Sequence, residues 1–296
     1  MSAVVVPPEL VAAMTSIHGA RGAEWCARLP SLVAARARSW GLALEAPFEA
    51  TYHWVAPGRR GSTEVVLKVG IATTEGDLAR EAEVLAGWDG AGAVRLLDVD
   101  VSADCVALLL ERVRPGTDLT ALPDEEAFPL LGQVGRALHA SGTARPAAAV
   151  EPVALADLRA GHPLLPSSVT SAAADRLDGL LASAAAPVLC HGDLHHGNVL
   201  FGADGPVAVD PRGVWAEPAL DVSVAMLNPL GTLPPNRAAL ARLLERRLGL
   251  LCPAMGVDVD RGRAWTAVYA VVSALWSAED GLGIEEDSLA VAAVLA

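Results

Sequence analysis

The apolar pattern of the sequence changes at Pro115-Gly116, and this change constrains the fold more than any other feature. Before it, short apolar runs separated by turn formers are typical of strands, whereas after it the apolar residues recur at helical spacing. We therefore predict an α+β, bilobal fold, with a small β-rich lobe and flanking helices over residues 1–113 and a mainly helical lobe over residues 114–296. A cleft between such lobes is the expected place for a ligand site.

The predicted elements of the first part follow from its turn formers and its spacing. Residues 1–41 are expected to be helical, with interruptions at Gly19 and at Pro30-Ser31. Two strands, a helix and two more strands are then predicted over residues 48–55, 63–71, 77–88, 94–101 and 105–113. Residues 56–62, which contain one proline and two glycines, form the predicted loop of the first hairpin.

The second part is predicted to consist mostly of helices, with one irregular polar stretch over residues 189–221. The helices are expected over residues 125–141, 172–183, 237–251, 261–278 and 286–295.

The polar stretch contains the sequence His-Gly-Asp-Leu-His-His-Gly-Asn-Val-Leu over residues 191–200. Asp193 and Asn198 are five residues apart, and Asp210 follows a short strand-like run. Phosphoryl transfer from a nucleotide requires such a set, because a carboxylate orients the attacking hydroxyl and oxygen ligands hold Mg²⁺.

A cation for the nucleotide phosphates is present in the first part of the chain. Lys68 lies towards the end of the second predicted strand, and Glu81 in the following helix is placed to form an ion pair with it. Lys68 is the only lysine, since 21 of the 22 basic residues are arginines. At this strand position a compact ammonium with three freely oriented donors suits nucleotide phosphates better than a wide guanidinium fork.

The net charge of −13 makes nucleic acid an unexpected partner, because binding its backbone requires clustered basic residues. The four cysteines are far apart and form no CxxC pair, and the first ten residues have no basic signal-peptide region. We therefore expect a cytoplasmic protein. The longest uncharged apolar stretch, residues 264–278, is too short for a membrane span, so no membrane association is expected.

The strand with Lys68, the helix with Glu81, the loop over residues 191–200 and the later Asp210 together resemble the protein-kinase-like fold in its aminoglycoside phosphotransferase branch. More narrowly, the chain resembles the streptomycin 6-phosphotransferase and hydroxyurea phosphotransferase family. The similar segments follow the family's order over almost the whole chain, at residues 65–69, 94–98, 109–112, 191–200, 209–213, 217–222 and 275–281. Each segment alone is a weak indicator of the family, whereas the combination of all of them is specific for it.

The resemblance implies a kinase that uses ATP or GTP with Mg²⁺. It implies that Asp193 is the catalytic aspartate and that Asn198 and Asp210 bind the metal ions. It also implies that Lys68 contacts the nucleotide phosphates and that Glu81 positions Lys68.

The resemblance further implies an adenine-binding hinge and a structural brace. Leu110, Glu111 and Arg112, in the segment that begins at Leu109, would meet the adenine edge through backbone groups. Asp221 would support the catalytic loop by accepting hydrogen bonds. The hairpin over residues 51–62 departs from the protein kinases, because it has too few glycines, placed too late, for their phosphate loop.

The histidines of the loop leave a zinc site as an alternative. His191, His195 and His196 lie beside Asp193, but their order is not that of an HExxH helix and no further ligand has an obvious placement. We expect instead that His191 holds the loop through local hydrogen bonds, while His195 and His196 shape the rim of the pocket.

The acidity of the second part indicates a cationic acceptor. Residues 114–296 carry 12 basic and 21 acidic residues, and an aminocyclitol antibiotic is polycationic. Glu279 and Asp280 lie at the end of a predicted helix, where the helix dipole does not favour acids. These two residues and Glu217 are the candidate acceptor ligands, and the alternative is that they are solvated surface acids.

The expected function is Mg·ATP-dependent phosphorylation of a hydroxyl group of an aminoglycoside such as streptomycin, by a monomer or weak dimer. Two alternatives remain open at this point. One is a kinase of the same fold that acts on a sugar, an amino alcohol or a hydroxyurea-like acceptor, and the other is a non-catalytic nucleotide-binding module.

Overall fold

The computed structural model of the protein describes residues 4–49, 52–73, 77–141, 155–228 and 233–296. The chain forms two compact units. The N-terminal unit contains residues 1–90 and 94–114, and the C-terminal unit contains residues 91–93 and 115–296. A five-stranded sheet belongs to the first unit and most of the helices to the second, so the predicted α+β class is confirmed.

The N-terminal unit begins with a long helix, α1 (Pro8–Trp40). The predicted interruption at Gly19 is present, because this residue leaves the helical conformation with φ 57° and ψ −137°. The predicted interruption at Pro30 is wrong. Leu29 and Val33, on either side of it, are both fully buried on one face of α1, so packing outweighs the hydrogen bond that proline removes.

The sheet of the N-terminal unit is antiparallel, with the strand order β1-β2-β3-β5-β4. A helix, α2 (Asp77–Trp88), follows β3. The core packs α1 against the sheet through Trp25, Leu29, Trp54 and Leu67. The strands are β1 (Leu42–Leu44), β2 (Trp54–Arg60), β3 (Thr63–Ile71), β4 (Leu96–Val101) and β5 (Cys105–Glu111).

Strand β2 differs from its predicted position, because residues expected in the hairpin loop belong to the strand. The turn is confined to Gly61 and Ser62, and part of the predicted strand, residues 50–51, lies outside the described residues. Pro57 is tolerated because its backbone polar groups point away from β3. Its carbonyl oxygen accepts a hydrogen bond from Glu45 N at 2.9 Å, on the side of the strand where β1 has already ended. Its missing N–H therefore removes no bond from the ladder with β3.

The C-terminal unit contains most of the helices and two small antiparallel sheets, one of β6 with β9 and the other of β7 with β8. Helix α3 packs against α7, while α8 packs against α5, α6 and α9. The helices are α3 (Asp124–Ser141), α4 (Leu155–Ala160), α5 (Ser167–Ala182), α6 (Ala219–Leu227), α7 (Arg237–Met255), α8 (Val259–Glu279) and α9 (Glu286–Leu295). The strands are β6 (Val188–Cys190), β7 (Val199–Gly202), β8 (Gly205–Ala208) and β9 (Val214–Ala216), and a 3₁₀ turn (His196–Asn198) precedes β7.

Two differences from the predicted helices have a clear physical reason. Helix α6 was not predicted because all nine of its residues are buried, so it has no polar face to reveal a helical period. Helix α7 continues past its predicted end through Pro253, since Cys252 and Met255 on either side are buried in the core.

All four cysteines are buried and free. Burial raises the pKa of Cys105 to about 11 and of Cys252 to about 12, and it also raises the pKa of Cys26 and Cys190. Among the residues that the structure describes, no helix combines the length and the apolar composition that crossing a membrane would require.

Candidate active site

Lys68 and Glu81 form a buried ion pair in the N-terminal unit. Lys68 lies in the interior of the sheet, where it is paired with Val55 on β2 and Leu108 on β5. Its Nζ atom is 2.6 Å from Oε2 of Glu81 on α2, and the two side chains are only 4% and 5% exposed. Since removing two charges from water is costly unless they are paired, this contact fixes the ammonium in one position.

The end of β5 contains the residues expected to meet the adenine edge. Leu110 lies within the sheet between β3 and β4. Glu111 N donates to Arg95 O at 3.0 Å, and Glu111 Oε1 accepts from Arg95 N at 2.9 Å. Because β5 ends at Glu111, Arg112 is the only one of these three residues that lies beyond the strand. Nucleotide contact at these residues stays a prediction.

In the C-terminal unit, the loop between β6 and β7 is held by the carboxylate of Asp221 on α6. Asp221 Oδ2 accepts from His191 N at 2.9 Å, and Oδ1 accepts from Gly192 N at 2.8 Å. Burial alone would raise the pKa of Asp221, but the hydrogen bond and charge of His139, with the contacts to His191 and Gly192, outweigh it and lower the pKa. The ionised side chain therefore holds two backbone amides of the loop by hydrogen bonds.

The turn at Gly192 cannot accommodate a side chain. Gly192 has φ 79°, in the left-handed region, and a Cβ atom there would lie 2.5 Å from Cγ2 of Val214 on β9. The loop thus passes directly over β9 at this point.

His191 uses both ring nitrogens to hold the loop. Its Nε2 lies 2.9 Å from Val209 O, and its Nδ1 accepts from Asp193 N at 3.2 Å. Since Nδ1 is an acceptor, the proton is on Nε2, which donates to the carbonyl. Burial lowers the pKa of His191, which keeps the ring neutral. The local structural contacts expected of His191 are therefore formed.

Asn198 is hydrogen-bonded to Asp193 and to the residue that precedes Asp210. Asn198 Nδ2 donates to Asp193 O at 2.9 Å and to Asp193 Oδ2 at 3.2 Å. Val209 N donates to Asn198 O at 2.9 Å, which brings the adjacent Asp210 next to Asn198. The Asp193 side chain is 42% exposed, so its carboxylate is accessible to a bound molecule.

The donor set of this loop fits a magnesium ion. The Asn198 amide nitrogen donates to Asp193, which leaves the amide oxygen as its remaining polar atom. Asp210 adds a carboxylate, and its φ of 58° lies in the left-handed region, which aspartate adopts more readily than most non-glycine residues. Mg²⁺ prefers hard oxygen ligands of these two kinds.

The structure does not support the zinc alternative. His196 is buried with its ring edge-on to Phe128, at a centroid distance of 5.1 Å, and burial, followed by the charge of Arg247, lowers its pKa to about 4. His195 Nδ1 instead accepts from Gly197 N. Within the described ranges, the one group of three residues with mutually close ligand atoms includes none of the loop's predicted zinc ligands, since it consists of His139, Cys190 and Asp221.

Glu217 does not have the environment expected of an acceptor ligand. It is 5% exposed, and its Oε1 atom lies 2.6 Å from Arg261 Nη2 and also accepts from Trp265 Nε1. Arg261 Nη2 also donates a hydrogen bond to Leu180 O at 2.6 Å. The Glu217–Arg261 ion pair therefore connects the segment between β9 and α6 with α5 and α8. We therefore correct the earlier expectation, because this carboxylate is already occupied by a structural ion pair.

The other two acids lie at the surface. Glu279 and Asp280 are exposed at the end of α8. One turn earlier on the same helix, the Trp276 ring lies under the Arg212 guanidinium, at 5.5 Å from the ring centroid. Arg212 N also donates to His191 O at 2.9 Å, so the acidic end of α8 belongs to the same part of the unit as the loop.

Two residues close to the loop were assigned no role from the sequence. Arg212 directly follows the Asp210-Pro211 pair, and His139 lies on α3. His139 gives one detectable signal, since it is a polar residue on the apolar stripe of α3 that includes Phe128, Leu131 and Leu138.

Comparison with known proteins assigns the family. The family model described as "Aminoglycoside/hydroxyurea antibiotic resistance kinase" matches residues 54–281. A hydroxyurea phosphotransferase of Kitasatospora aureofaciens is 33% identical over 99% of this chain and 86% of its own length. A streptomycin 6-kinase of Streptomyces glaucescens is 32% identical over 94% of this chain and 92% of its own length.

The fold agrees with this result. The crystal structure of the aminoglycoside phosphotransferase APH(4)-Ia superposes with a TM-score of 0.60 at 16% identity, over 90% of this chain and 97% of that one. The predicted protein-kinase-like fold is therefore confirmed. The chain belongs to the aminoglycoside/hydroxyurea antibiotic resistance kinase family, and it is a phosphotransferase that acts on a hydroxyl group.

Proposed function

We propose that this enzyme transfers the terminal phosphoryl group of Mg·ATP to a hydroxyl group of a small cationic acceptor of the streptomycin type. The observation that carries this proposal is the geometry of Asp193. Its backbone is fixed by His191 and its carbonyl by Asn198, while 42% of its side chain is exposed. A carboxylate held in this way can orient an acceptor hydroxyl and take its proton.

The other proposed roles follow from charge and position. Lys68 would neutralise charge on the nucleotide phosphates, with Glu81 holding its ammonium. Asn198 and Asp210 would hold Mg²⁺ through their side-chain oxygens. When bound there, the ion supplies positive charge that stabilises the transferring phosphoryl group. Backbone groups of Leu110, Glu111 and Arg112 would bind the base.

The proposed acceptor site uses the exposed acids at the end of α8. Glu279 and Asp280 are available to ammonium or guanidinium groups, unlike Glu217. The strong acidity of residues 114–296 favours the approach of a polycation. The Arg212 guanidinium lies over the indole face of Trp276, at 5.5 Å from the ring centroid.

A hydroxyurea-like acceptor is the second candidate, and the similarity to the hydroxyurea phosphotransferase of K. aureofaciens favours it. Such an acceptor is small and uncharged, so it has no use for two acids at the end of α8. The two candidates therefore differ in whether Glu279 and Asp280 contribute to the Michaelis constant for the acceptor.

ADP release from purified enzyme, measured against a panel of acceptors, tests the proposal. The panel would contain streptomycin, hydroxyurea, a small amino alcohol and a polyol, each with ATP or GTP and with or without Mg²⁺. We expect the highest kcat/KM with streptomycin and ATP, and none without a divalent ion. A preference for hydroxyurea would favour the second candidate, and turnover confined to the amino alcohol or polyol would reject both.

A further inference from the structure

A glycine in strand β3 leaves space for a histidine ring in the N-terminal unit. A Cβ atom on Gly70 would lie 2.6 Å from Cδ2 of His53 and 3.0 Å from Cδ2 of Leu78 on α2. Gly70 is buried and its φ is not positive, so its backbone conformation does not require glycine. Glycine weakens the interior of a strand and often marks a place where another group approaches closely. Here that group is the imidazole of His53.

The alternation of side chains along β2 and β3 determines the face of the sheet on which His53 lies. Val69 and its partner on β2, Trp54, both belong to the core that packs against α1. Successive residues of a strand point to opposite faces, so Lys68 and Gly70 belong to the other face. His53 directly precedes Trp54 and contacts Gly70, so its ring lies on the face of Lys68.

Trp54 fixes this arrangement from the opposite face. Its side chain is buried, and its Nε1 atom donates to Val5 O at 2.8 Å. Since the indole is held on the α1 side, the side chain of His53 is directed to the other side. Lys68 and Gly70 are two residues apart, which is about 7 Å along a strand. The half-buried ring of His53 therefore lies one cross-strand position beyond the ammonium of Lys68.

The connection between β1 and β2 cannot bind phosphates in the way a glycine-rich loop does. Residues 45–53 read Glu-Ala-Pro-Phe-Glu-Ala-Thr-Tyr-His, so each of them carries a Cβ atom. In a glycine-rich loop the backbone N–H groups approach the phosphate oxygens closely because no side chain intervenes. A side-chain donor can supply this contact instead, and His53 ends the connection on the face of Lys68.

We propose, on the basis of the nucleotide-binding role proposed for Lys68, that His53 is a phosphate-binding residue of the same site. A ring N–H group of His53 donates a hydrogen bond to an oxygen of the phosphate chain whose charge Lys68 neutralises. Gly70 positions the ring by leaving space beneath it. The side chain of His53 thus replaces backbone amides that this connection does not provide.

Calorimetric titration of the full chain with Mg·AMP-PNP and with adenosine, without acceptor, tests this role. His53→Phe keeps a planar ring over Gly70 and removes both ring nitrogens. Because a hydrogen bond to a charged group is lost, we expect the affinity for AMP-PNP to fall by about tenfold or more, and that for adenosine to stay within about twofold. Tyr52→Phe, in the same connection with a side chain that is 61% exposed, is the matched control and should bind both as wild type does. Unchanged affinity for AMP-PNP in His53→Phe, or equal losses for the two ligands, would overturn the proposal.

A double-mutant cycle tests the contact between His53 and Gly70. The methyl group of Gly70→Ala would displace the imidazole, so we expect the affinity of the otherwise wild-type protein for AMP-PNP to fall by about three- to tenfold. In His53→Ala the ring is absent, and Gly70→Ala should then change the affinity by less than about twofold. Equal effects of Gly70→Ala in the two backgrounds would reject the positioning of the ring by Gly70.

One measurement on the wild-type protein does not depend on the folding of any variant. The ¹⁵N resonances of the His53 ring should shift when Mg·AMP-PNP binds and stay in place with adenosine. No shift with AMP-PNP bound would overturn the role of His53, whereas the proposed function would stand. If the wild-type protein did not bind AMP-PNP, the proposed function and the role of His53 would both be rejected.

Discussion

The Nζ atom of Lys68 lies 2.6 Å from Oε2 of Glu81, in a part of the N-terminal unit where both side chains are buried. A guanidinium is wider and planar, so it cannot keep this contact and direct a donor at a phosphate in the same space. We expect Lys68→Arg to lower kcat/KM for ATP by about tenfold or more although the charge is kept. Steady-state ADP release over a range of ATP concentrations measures this loss. Unchanged kinetics would show that Lys68 does not contact the nucleotide.

Asp193→Asn removes the proposed proton acceptor and keeps the size of the side chain. We expect kcat to fall by about 10²- to 10⁴-fold, the usual contribution of a general base, while nucleotide affinity changes little. Single-turnover kinetics and titration calorimetry measure the two quantities. Asp204→Asn, in the exposed turn between β7 and β8, is the matched control and should behave as wild type. Similar rates in both variants would reject the role of Asp193.

Gly192→Ala should destabilise the protein, because the new methyl group would meet Val214 in a left-handed backbone conformation. We expect the free energy of unfolding to fall by about 1–3 kcal/mol, with a loss of activity as the Gly192 amide moves away from Asp221. Gly249→Ala on α7 is the control with the opposite expected sign, since a Cβ there has nothing within 4 Å and alanine favours a helix. Urea denaturation of both variants measures the difference.

The acids near the loop should separate into structural and acceptor-binding groups. Glu217→Gln breaks a buried ion pair with Arg261, so we expect a loss of about 2–4 kcal/mol of stability with little change in the acceptor KM. Glu279→Gln and Asp280→Asn should leave stability unchanged and raise the KM for streptomycin by about three- to tenfold. The reverse assignment would be shown by a raised acceptor KM in Glu217→Gln alone.

The stability of the protein should decrease as the pH falls from about 6.5 to about 4. Burial, and next the charge of Arg247, lower the pKa of His196 from 6.5 to about 4, so in this range the unfolded chain binds more protons than the folded one. This histidine alone should remove about 2 kcal/mol between pH 7.5 and pH 5, and His191, whose pKa burial also lowers, acts in the same direction. Denaturation of wild type and His196→Asn at both pH values measures it. An equal pH dependence in the two proteins would contradict the assignment to His196.

Elements with a strong local signal were predicted well from the sequence. Helices α2 and α9 have their predicted bounds, because their apolar residues recur at helical spacing between turn formers. The interruption predicted at Pro30 and the helix end predicted at Leu251 were wrong, since tertiary packing on both sides of Pro30 and of Pro253 outweighs the local preference.

In the site, too, relationships between residues close in sequence could be predicted, whereas contacts between distant residues could not. Asp193, Asn198 and Asp210 are close in sequence, so their spacing alone indicated that they lie together. Glu217 was given the wrong environment because the arginine that binds it is 44 residues away. The contact between His139 and Asp221 spans 82 residues, and no local pattern shows which helix face meets the loop.

The buried cysteines have a practical consequence for labelling. Because burial and a raised pKa keep all four native thiols unreactive, a cysteine introduced at the surface would be the fastest site for a maleimide dye or spin label. One label at Ser62, in the exposed turn between β2 and β3, and another at Leu282, which is 79% exposed, would place one probe in each unit without removing any native cysteine. Distance changes between the two probes on adding nucleotide or antibiotic can then be followed in an otherwise wild-type enzyme.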